Sequence, residues 1–297
     1  MKIKAWDVGV TSVEGPNKKI NEDHGFAKTY HRSGNTPYTL AVVADGMGGY
    51  RAGDDASRLV VQVLDTWAQE EAPALLELNK PYEHISRSLD QTLQQLNEIL
   101  LDWSAEGLKA GSTASVLFLH QDQFIVRHIG DSRIYRLSND GFGPSDEIDR
   151  GDTTVPLSKK KPKVQQMTED HSWVAKQMKE GRLSKEEARL HPKRNVLLAC
   201  LGIEYGCQTY YRQGDIQDHQ IFLLCSDGFY TQFPDSEIEE LMRFSQVYED
   251  LQEASRRLIR QAEERNTNDN ATVVLLRPAR PVKNKPFWKQ WFSKTKE

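Results

Sequence analysis

Apolar positions along the chain follow two periods. Runs rich in β-branched residues, bounded by Gly, Asn and Pro, predict strands over 2–11, 24–30 and 39–44. Between Asp54 and Glu70 the period lengthens, and Leu59, Val60, Val63, Leu64 and Trp67 recur at helical spacing. Ile85, Leu89, Leu93, Leu96, Leu100 and Trp103 repeat that spacing between Tyr82 and Trp103. Two amphipathic helices are therefore predicted, each with one apolar face to bury. Strands resume over 113–120, 123–130 and 132–138, and the tight joints at His120–Gln123 and Gly130-Asp131 predict an antiparallel meander. The polar stretch 139–166 reads as a solvent-exposed loop or hairpin insertion. Short helices are expected over 172–180 and 184–190, with Ser184 and Glu187 spaced as a capping box. Further strands are expected at 208–212, 220–226 and 271–276. Residues 235–265 read as one helical stretch with Ser236 as candidate N-cap.

This order is α+β and contains no regular βαβ alternation. Leu40–Val43 and Ile221–Cys225 lack polar alternation, as strands covered on both faces do. The expected architecture is a sandwich of two antiparallel β-sheets flanked by α-helices. A single folded unit is expected over 1–276, followed by a basic, aromatic C-terminal tail at 277–297. The tail reads as a solvated linker. A sharper reading makes Phe287, Trp288, Trp291 and Phe292, flanked by lysines, a short anchor on an anionic membrane surface or an acidic partner.

Composition narrows the classes. Of 297 residues, 38% are hydrophobic and 28% charged, and no run of about 18 apolar residues predicts a membrane-spanning helix. The N-terminus shows no apolar signal region, and a cytoplasmic protein is expected; a monomer is expected as well. Cys200, Cys207 and Cys225 are odd in number and form no CxxC pair, which argues against a disulfide framework or a thiolate zinc site. Cys225 follows Leu223-Leu224 and reads as a buried small hydrophobe. The net charge of −4 is uneven: the tail carries +6 and the body −10. An acidic body argues against nucleic acid as a partner.

The chemistry lies in acids at the tips of apolar strands. Asp45 ends Leu40–Ala44, Asp131 follows Phe124–Gly130, and Asp227 follows Ile221–Ser226. Asp269 precedes Ala271–Leu276, and Glu22 and Asp23 precede His24–Tyr30. A single Asp-Gly after a strand is a turn signal. Six carboxylates at neighbouring strand ends would instead repel one another and require protons or a cation. An all-oxygen set without His or Cys favours Mg2+ or Mn2+ over zinc. Gly46, Gly48, Gly49 and Gly53 crowd around Asp45, where glycine permits close backbone approach. Neither a dinucleotide fingerprint nor a P-loop fits this segment. Paired divalent ions suit hydrolytic phosphoryl transfer. His24, His128 and His171 read as structural histidines.

The segments Asn21-Glu22-Asp23, Asp45–Gly49, Gly111–Ala114, Gly130–Arg133, Thr168–Ser172, Gly181–Ala188, His191–Asn195, Ser226-Asp227-Gly228 and Asp269–Thr272 occur in one order. Together they resemble the bacterial branch of the protein phosphatase 2C family, the metal-dependent Ser/Thr phosphatases, over roughly 5–276. The resemblance implies the same sandwich fold. It also implies hydrolysis of phosphoserine and phosphothreonine by attack of a metal-bridging water. Asp45 would bridge two metals, Gly46 would lend a backbone carbonyl, and Asp227 and Asp269 would ligate one metal. Glu22 and Asp23 would hold metal-bound waters, and a third metal would involve Asp131 with Asp227. Residues 168–195 would form a flap shaping substrate access. Phosphorylated proteins would be the substrates, and a Ser/Thr kinase system would act in opposition. Lys18 stands where the family places a phosphate-binding Arg, and lysine lacks bidentate geometry. Met47 stands where many eukaryotic members carry a His general acid, and Thr231 where many carry a further acid. Two competing readings are a catalytically weak phosphopeptide-binding regulatory module of the same fold and another two-metal phosphoesterase, such as a nuclease. The retained acids disfavour the first and the acidic body the second.

Overall fold

The computed structural model describes residues 5–31, 36–48, 51–138, 163–216 and 220–279. Two antiparallel sheets lie face to face. The first contains β1 (Trp6–Val13), β7 (Arg133–Ser138), β8 (Lys163–Gln166), β10 (Ile221–Cys225) and β11 (Ala271–Pro278), in the order β1-β11-β10-β7-β8. The second runs β2 (Asp23–Tyr30), β3 (Tyr38–Gly48), β5 (Ala114–His120), β6 (Gln123–Ile129) and β9 (Tyr210–Asp215), with β4 (Ala110–Ser112) paired to the end of β3. Helices α1 (Ala52–Glu70) and α3 (Pro81–Ala105) cover the outer face of the second sheet, with the short α2 (Ala72–Leu75) between them. Helices α7 (Asp235–Val247) and α8 (Leu251–Glu264) cover the first sheet.

The layering follows from the absence of polar alternation in the central strands. Leu40 and Val42 belong to the outer core that also holds Leu64 of α1 and Leu89 and Leu93 of α3, while Ala41 and Val43 belong to the inner core with Phe222, Leu224 and Val274 of the other sheet. Each strand thus feeds two cores, and truncating one such leucine to alanine costs about 2–5 kcal/mol.

Four differences from the sequence expectation have physical causes. The strands β6 and β7 are not a hairpin. They belong to opposite sheets, and Gly130, Asp131 and Ser132 cross between the layers. Gly130 permits the crossing at φ 111°, where a Cβ would sit 2.5 Å from the Thr113 side chain. The stretch 235–265 is two helices. Arg277 donates to the carbonyls of Gln246, Tyr248 and Glu249, taking up groups that a helix end leaves without partners. Asp250 then caps α8 by accepting from Gln252 N at 2.8 Å. Pro234, rather than Ser236, holds the N-cap position of α7. Arg277 and Pro278 extend the final strand beyond residue 276, and Arg277 is buried with an ion pair to Asp7 at 3.2 Å. Finally, of the two readings of the polar stretch, loop or hairpin insertion, its end takes the second: β8 pairs antiparallel with β7 through backbone hydrogen bonds, which need no apolar alternation. Gly49, residues 139–162 and the aromatic tail residues from Phe287 to Phe292 lie outside the described residues. No helix among the described residues is long and apolar enough to cross a membrane.

Candidate metal centre

Strand pairing sets the first contact. Asp23 and Asp45 are directly opposite each other in the β2–β3 ladder, an arrangement that like charges disfavour. Asp23 is buried, and Ser226 Oγ donates to its Oδ2 at 2.6 Å. That same hydroxyl oxygen accepts from Thr272 N at 3.0 Å, so one serine links β2, β10 and β11. Asp227 follows immediately, as the first residue of a single helical turn, α6 (Asp227–Tyr230). Asp45 N donates to Thr113 Oγ1 at 2.9 Å, and Thr113 Oγ1 lies 2.8 Å from Ser132 Oγ. The two hydroxyls tie the Asp45 strand end to the crossing segment that carries the buried Asp131. Lys18, in the loop between β1 and β2, reaches Asp269 Oδ1 at 2.6 Å.

The pKa shifts trace the convergence. Burial pushes the Asp45 carboxyl well above its ordinary range, and the charges of Asp23, Asp227, Asp131 and Asp269 push it further. Burial also raises Asp131, aided by Asp227 and Asp170. Asp23 is pushed up to about 7 by burial, with Asp227 and Asp269 adding to the shift against its hydrogen bonds from Ser226 and Thr272. Asp227 is raised to about 6, chiefly by burial and then by Asp269, against the pull of Lys18. Burial raises Glu22 as well, with Asp269 and Asp54 opposing the effect of Lys18. Burial works against the Lys18 charge, yet its hydrogen bond and attraction to Asp269, with Glu22 and Asp45 behind, raise its pKa overall.

Strand pairing and the serine and threonine links thus bring Asp23, Asp45, Asp131 and Asp227 to neighbouring strand ends, and Lys18 reaches Asp269 beside them. Among the described residues no group of three or more His, Cys, Asp or Glu side chains is arranged so that it could hold a metal ion as it stands. The chemistry of the donor set nevertheless suits divalent cations. The donor set is all oxygen, its carboxylates raise one another's pKa, and Lys18 is the cation paired to them. The backbone around Gly46 is equally confined, because a Cβ there would lie 2.0 Å from Gly53 O.

Several contributors escape sequence reasoning. Ser226, Thr272, Thr113 and Ser132 hold the acids in place, and only the short Ser-Asp and Ser-Thr segments hint at them. Asp170 forms a charge-assisted pair with Arg133, whose guanidinium stacks 3.7 Å from the centre of the Tyr230 ring. The histidines fill structural positions. His128 is buried, and burial together with the charge of His171 lowers its pKa to about 3. Cys225 is fully buried in the apolar core under the first sheet. Met47 Sδ accepts from Cys200 Sγ at 3.6 Å, and burial, with Asp131 and Asp45 nearby, raises that thiol to about 12. Thr231 Oγ1 donates to Asp227 O at 2.7 Å.

The fold and the acid cluster define a phosphatase-like sandwich, and comparison with known proteins specifies it. The family model described as "Protein phosphatase 2C" matches residues 17–266, and the chain belongs to that family. The chain is 33% identical over 260 residues to the serine/threonine phosphatase stp of Listeria monocytogenes serotype 4b (strain F2365), covering 86% of this chain and 89% of that one. The crystal structure of Stp1 from Staphylococcus aureus shares the fold at a TM-score of 0.74, 22% identity, and 94% and 98% coverage of the two chains. The catalytic domain of the phosphatase PstP, solved with two manganese ions, superposes at a TM-score of 0.67 with 25% identity, over 92% of this chain and 97% of that one.

Proposed function

We propose that this chain is a metal-dependent protein Ser/Thr phosphatase whose centre is built from Asp45, Asp227, Asp269, Asp131, Glu22, Asp23 and the Gly46 carbonyl. The observation that carries this reading is geometric: Asp23 faces Asp45 across the β2–β3 ladder, Ser226 ties Asp23 to the strand end that bears Asp227, and Thr113 and Ser132 tie Asp45 to the segment that bears Asp131. Carboxylates packed this way are neutralised by protons or by cations. Asp45, Asp227 and Asp269 would hold two Mg2+ or Mn2+ ions, with Asp131 and Asp227 offering a place for a third. Such ions supply Lewis acidity and charge neutralisation for transfer of a phosphoryl group to water.

The residues of the chain do the rest. Lys18, held by Asp269, presents one ammonium to the phosphate of the substrate and orients it as a point charge rather than a fork. Ser226 fixes Asp23, so the carboxylate facing Asp45 cannot swing away. Met47 offers no proton, so the leaving alkoxide takes its proton from solvent at the site mouth or from a neighbouring acid. The substrates are phosphorylated proteins, which requires a Ser/Thr kinase acting in opposition. Both outer sheet faces carry helices, which supports a monomer, and three free cysteines support a reducing, cytoplasmic setting. The regulatory-module alternative is not favoured, because the relatives that span most of the chain are named phosphatases.

Hydrolysis of p-nitrophenyl phosphate and of a phosphothreonine peptide, measured with Mn2+ and with chelator, tests the reading. Turnover should require metal and should fall by more than about 100-fold in Asp227→Asn, since even residues behind metal ligands cost 10–100-fold when lost. Turnover that survives both chelation and substitution would sink it.

A further inference from the structure

Beside the acids opens a cavity of about 380 Å³, large enough to take a side chain or a short peptide segment. Asp131 and Asp227 form one end of it. Its far wall comes from the helices α4 (Trp173–Lys179) and α5 (Lys185–Leu190) and the segment after them, and its near wall from α6 and the start of α7. The charges in this cavity are unevenly matched. Arg133 is committed to Asp170, and Lys185 is paired with Asp235. Arg189 and Arg194 also line the cavity, and among the described residues neither makes an ion pair or a side-chain hydrogen bond. Of the acids without an ion-pair partner in this lining, Asp131 and Asp227 belong to the metal centre at one end, and Glu186, exposed in the first turn of α5, is the acid beside the two arginines. Val174, Met178 and Phe233 add apolar surface to the lining.

We propose that this cavity is a specificity subsite for an anionic residue flanking the scissile phosphoresidue, recognised by Arg189 and Arg194. The inference rests on the phosphatase reading, because continuity with Asp131 and Asp227 makes a bound phosphoprotein the molecule that would fill the cavity. A flank within three residues of the scissile position spans about 10 Å of extended chain. A guanidinium forms charge-assisted, often bidentate hydrogen bonds to either a carboxylate or a second phosphate. The shared chemistry is therefore an acidic side group. Neutral or basic flanks forgo these bonds, and a basic flank also meets two unpaired cations. The apolar patch accommodates the stem of the flanking residue.

The test compares kcat/KM for four phosphothreonine peptides that differ at flanking positions, carrying alanine, glutamate, a second phosphothreonine or lysine. The Mn2+-loaded protein should favour the glutamate peptide over the alanine peptide by about tenfold, as two partly exposed charge-assisted contacts imply. A still higher ratio for the doubly phosphorylated peptide identifies phosphate as the preferred anion, and equal ratios show that a carboxylate suffices. In Arg189→Ala/Arg194→Ala the acidic-to-neutral ratio should fall to near one. In Arg189→Glu/Arg194→Glu the lysine peptide should become the favoured substrate. Both arginines are exposed, so these variants leave the cores untouched. An acidic preference that persists unchanged in the double variants, or its absence in the unmodified protein, overturns the subsite. Failure of the unmodified protein to hydrolyse p-nitrophenyl phosphate with Mn2+ would instead reject the phosphatase reading and the subsite with it.

Discussion

Asp23, Asp45, Asp131 and Asp227 sit at strand ends inside a hydrogen-bonded double sheet, while the opposite wall of the cavity rests on helices of seven and six residues. The acids are held by Ser226, Thr113 and Ser132, each bonded in turn to a second strand or segment. The flap helices are too short to be stable alone. They bury Val174 and Ala188, and their ion pairs Lys185–Asp235 and Lys179–Glu169 are exposed, where solvent screens them. The comparison teaches a division of labour. Chemistry that needs fixed repulsive charges is placed where the backbone cannot relax, and selection among partners is placed where the local structure is weakly held and substitution is cheap.

The largest effect should come from breaking the floor. Asp45→Asn should reduce turnover by more than about 100-fold with Mn2+. In chelator its thermal unfolding should be no earlier than that of the unmodified protein, because the change removes one of several buried like charges. A variant that is both inactive and strongly destabilised without metal would show that Asp45 is a folding element rather than a metal ligand.

A second prediction concerns pH in the metal-free protein. The folded-state pKa values of Asp23 and Asp227, about 7 and about 6, lie above the ordinary aspartate value of about 3.9. The folded state therefore holds protons that the unfolded chain releases, and this contribution is complete only below about pH 4. As pH rises towards 7 it is lost, and stability falls by an amount on the order of a few kcal/mol. Saturating Mn2+ should remove the dependence. Denaturant melts at pH 5 and pH 7.5, with chelator and with Mn2+, measure it. Equal chelator melts at the two pH values would contradict the burial of these charges.

The joint between the two regions should give the next largest effect. His128 Nε2 lies 3.0 Å from Gly130 O, which only accepts, so that nitrogen carries the proton and Nδ1 accepts from Ser115 Oγ. On the other side, Gly130 N donates to His171 Nδ1 at 3.1 Å, and His171 N donates to Gly130 O at 2.7 Å. The two imidazoles stack with centroids 5.2 Å apart. His171 O accepts in turn from Leu198 N, closing the flap onto the residue before Asp131. His171→Ala strands the Gly130 N–H and should cost about 1–3 kcal/mol. It should also raise the Mn2+ concentration needed for half-maximal thermal stabilisation. Unchanged metal stabilisation would show that the histidine packs the flap without positioning Asp131.

Much of the floor is legible in the sequence, because an acid after an apolar run is a local signal. Asp45, Asp131, Asp227 and Asp269 each stand at such an end, and Leu40–Val43 and Ile221–Cys225 carry the pattern of doubly covered strands. What stays hidden is set by partners distant in sequence. The passage of Gly130–Ser132 from one sheet to the other depends on Thr113, and the bond from Ser226 to Asp23 spans 203 positions. The break between α7 and α8 is imposed by Arg277, a residue whose basic neighbours make it look like part of a solvated tail. In the flap the opposite holds. The Ser184–Glu187 capping box is a local device and is present as expected. The charge pairing that leaves Arg189 and Arg194 free is visible only when α5, the segment after it and α7 are seen together.

That capping box supplies the smallest expected effect and the sharpest contrast with the floor. Ser184 Oγ accepts from Glu187 N at 3.3 Å, and Glu187 Oε2 accepts from Ser184 N at 2.7 Å, so two donors at the helix start are satisfied within four residues. Ser184→Ala removes the first of these and should weaken α5 by about 1 kcal/mol. Neither of the two sheet-and-helix cores includes α5, so the loss should stay local. Amide exchange across 185–190 should speed up by about fivefold, as that free energy implies when exchange proceeds by local opening. Amides of β3, β5 and β10 should keep their rates, and global unfolding should not shift. Faster exchange spreading into β7 through Asp170 and Arg133 would show that flap and floor unfold as one unit, and the contrast between them would then be one of exposure alone.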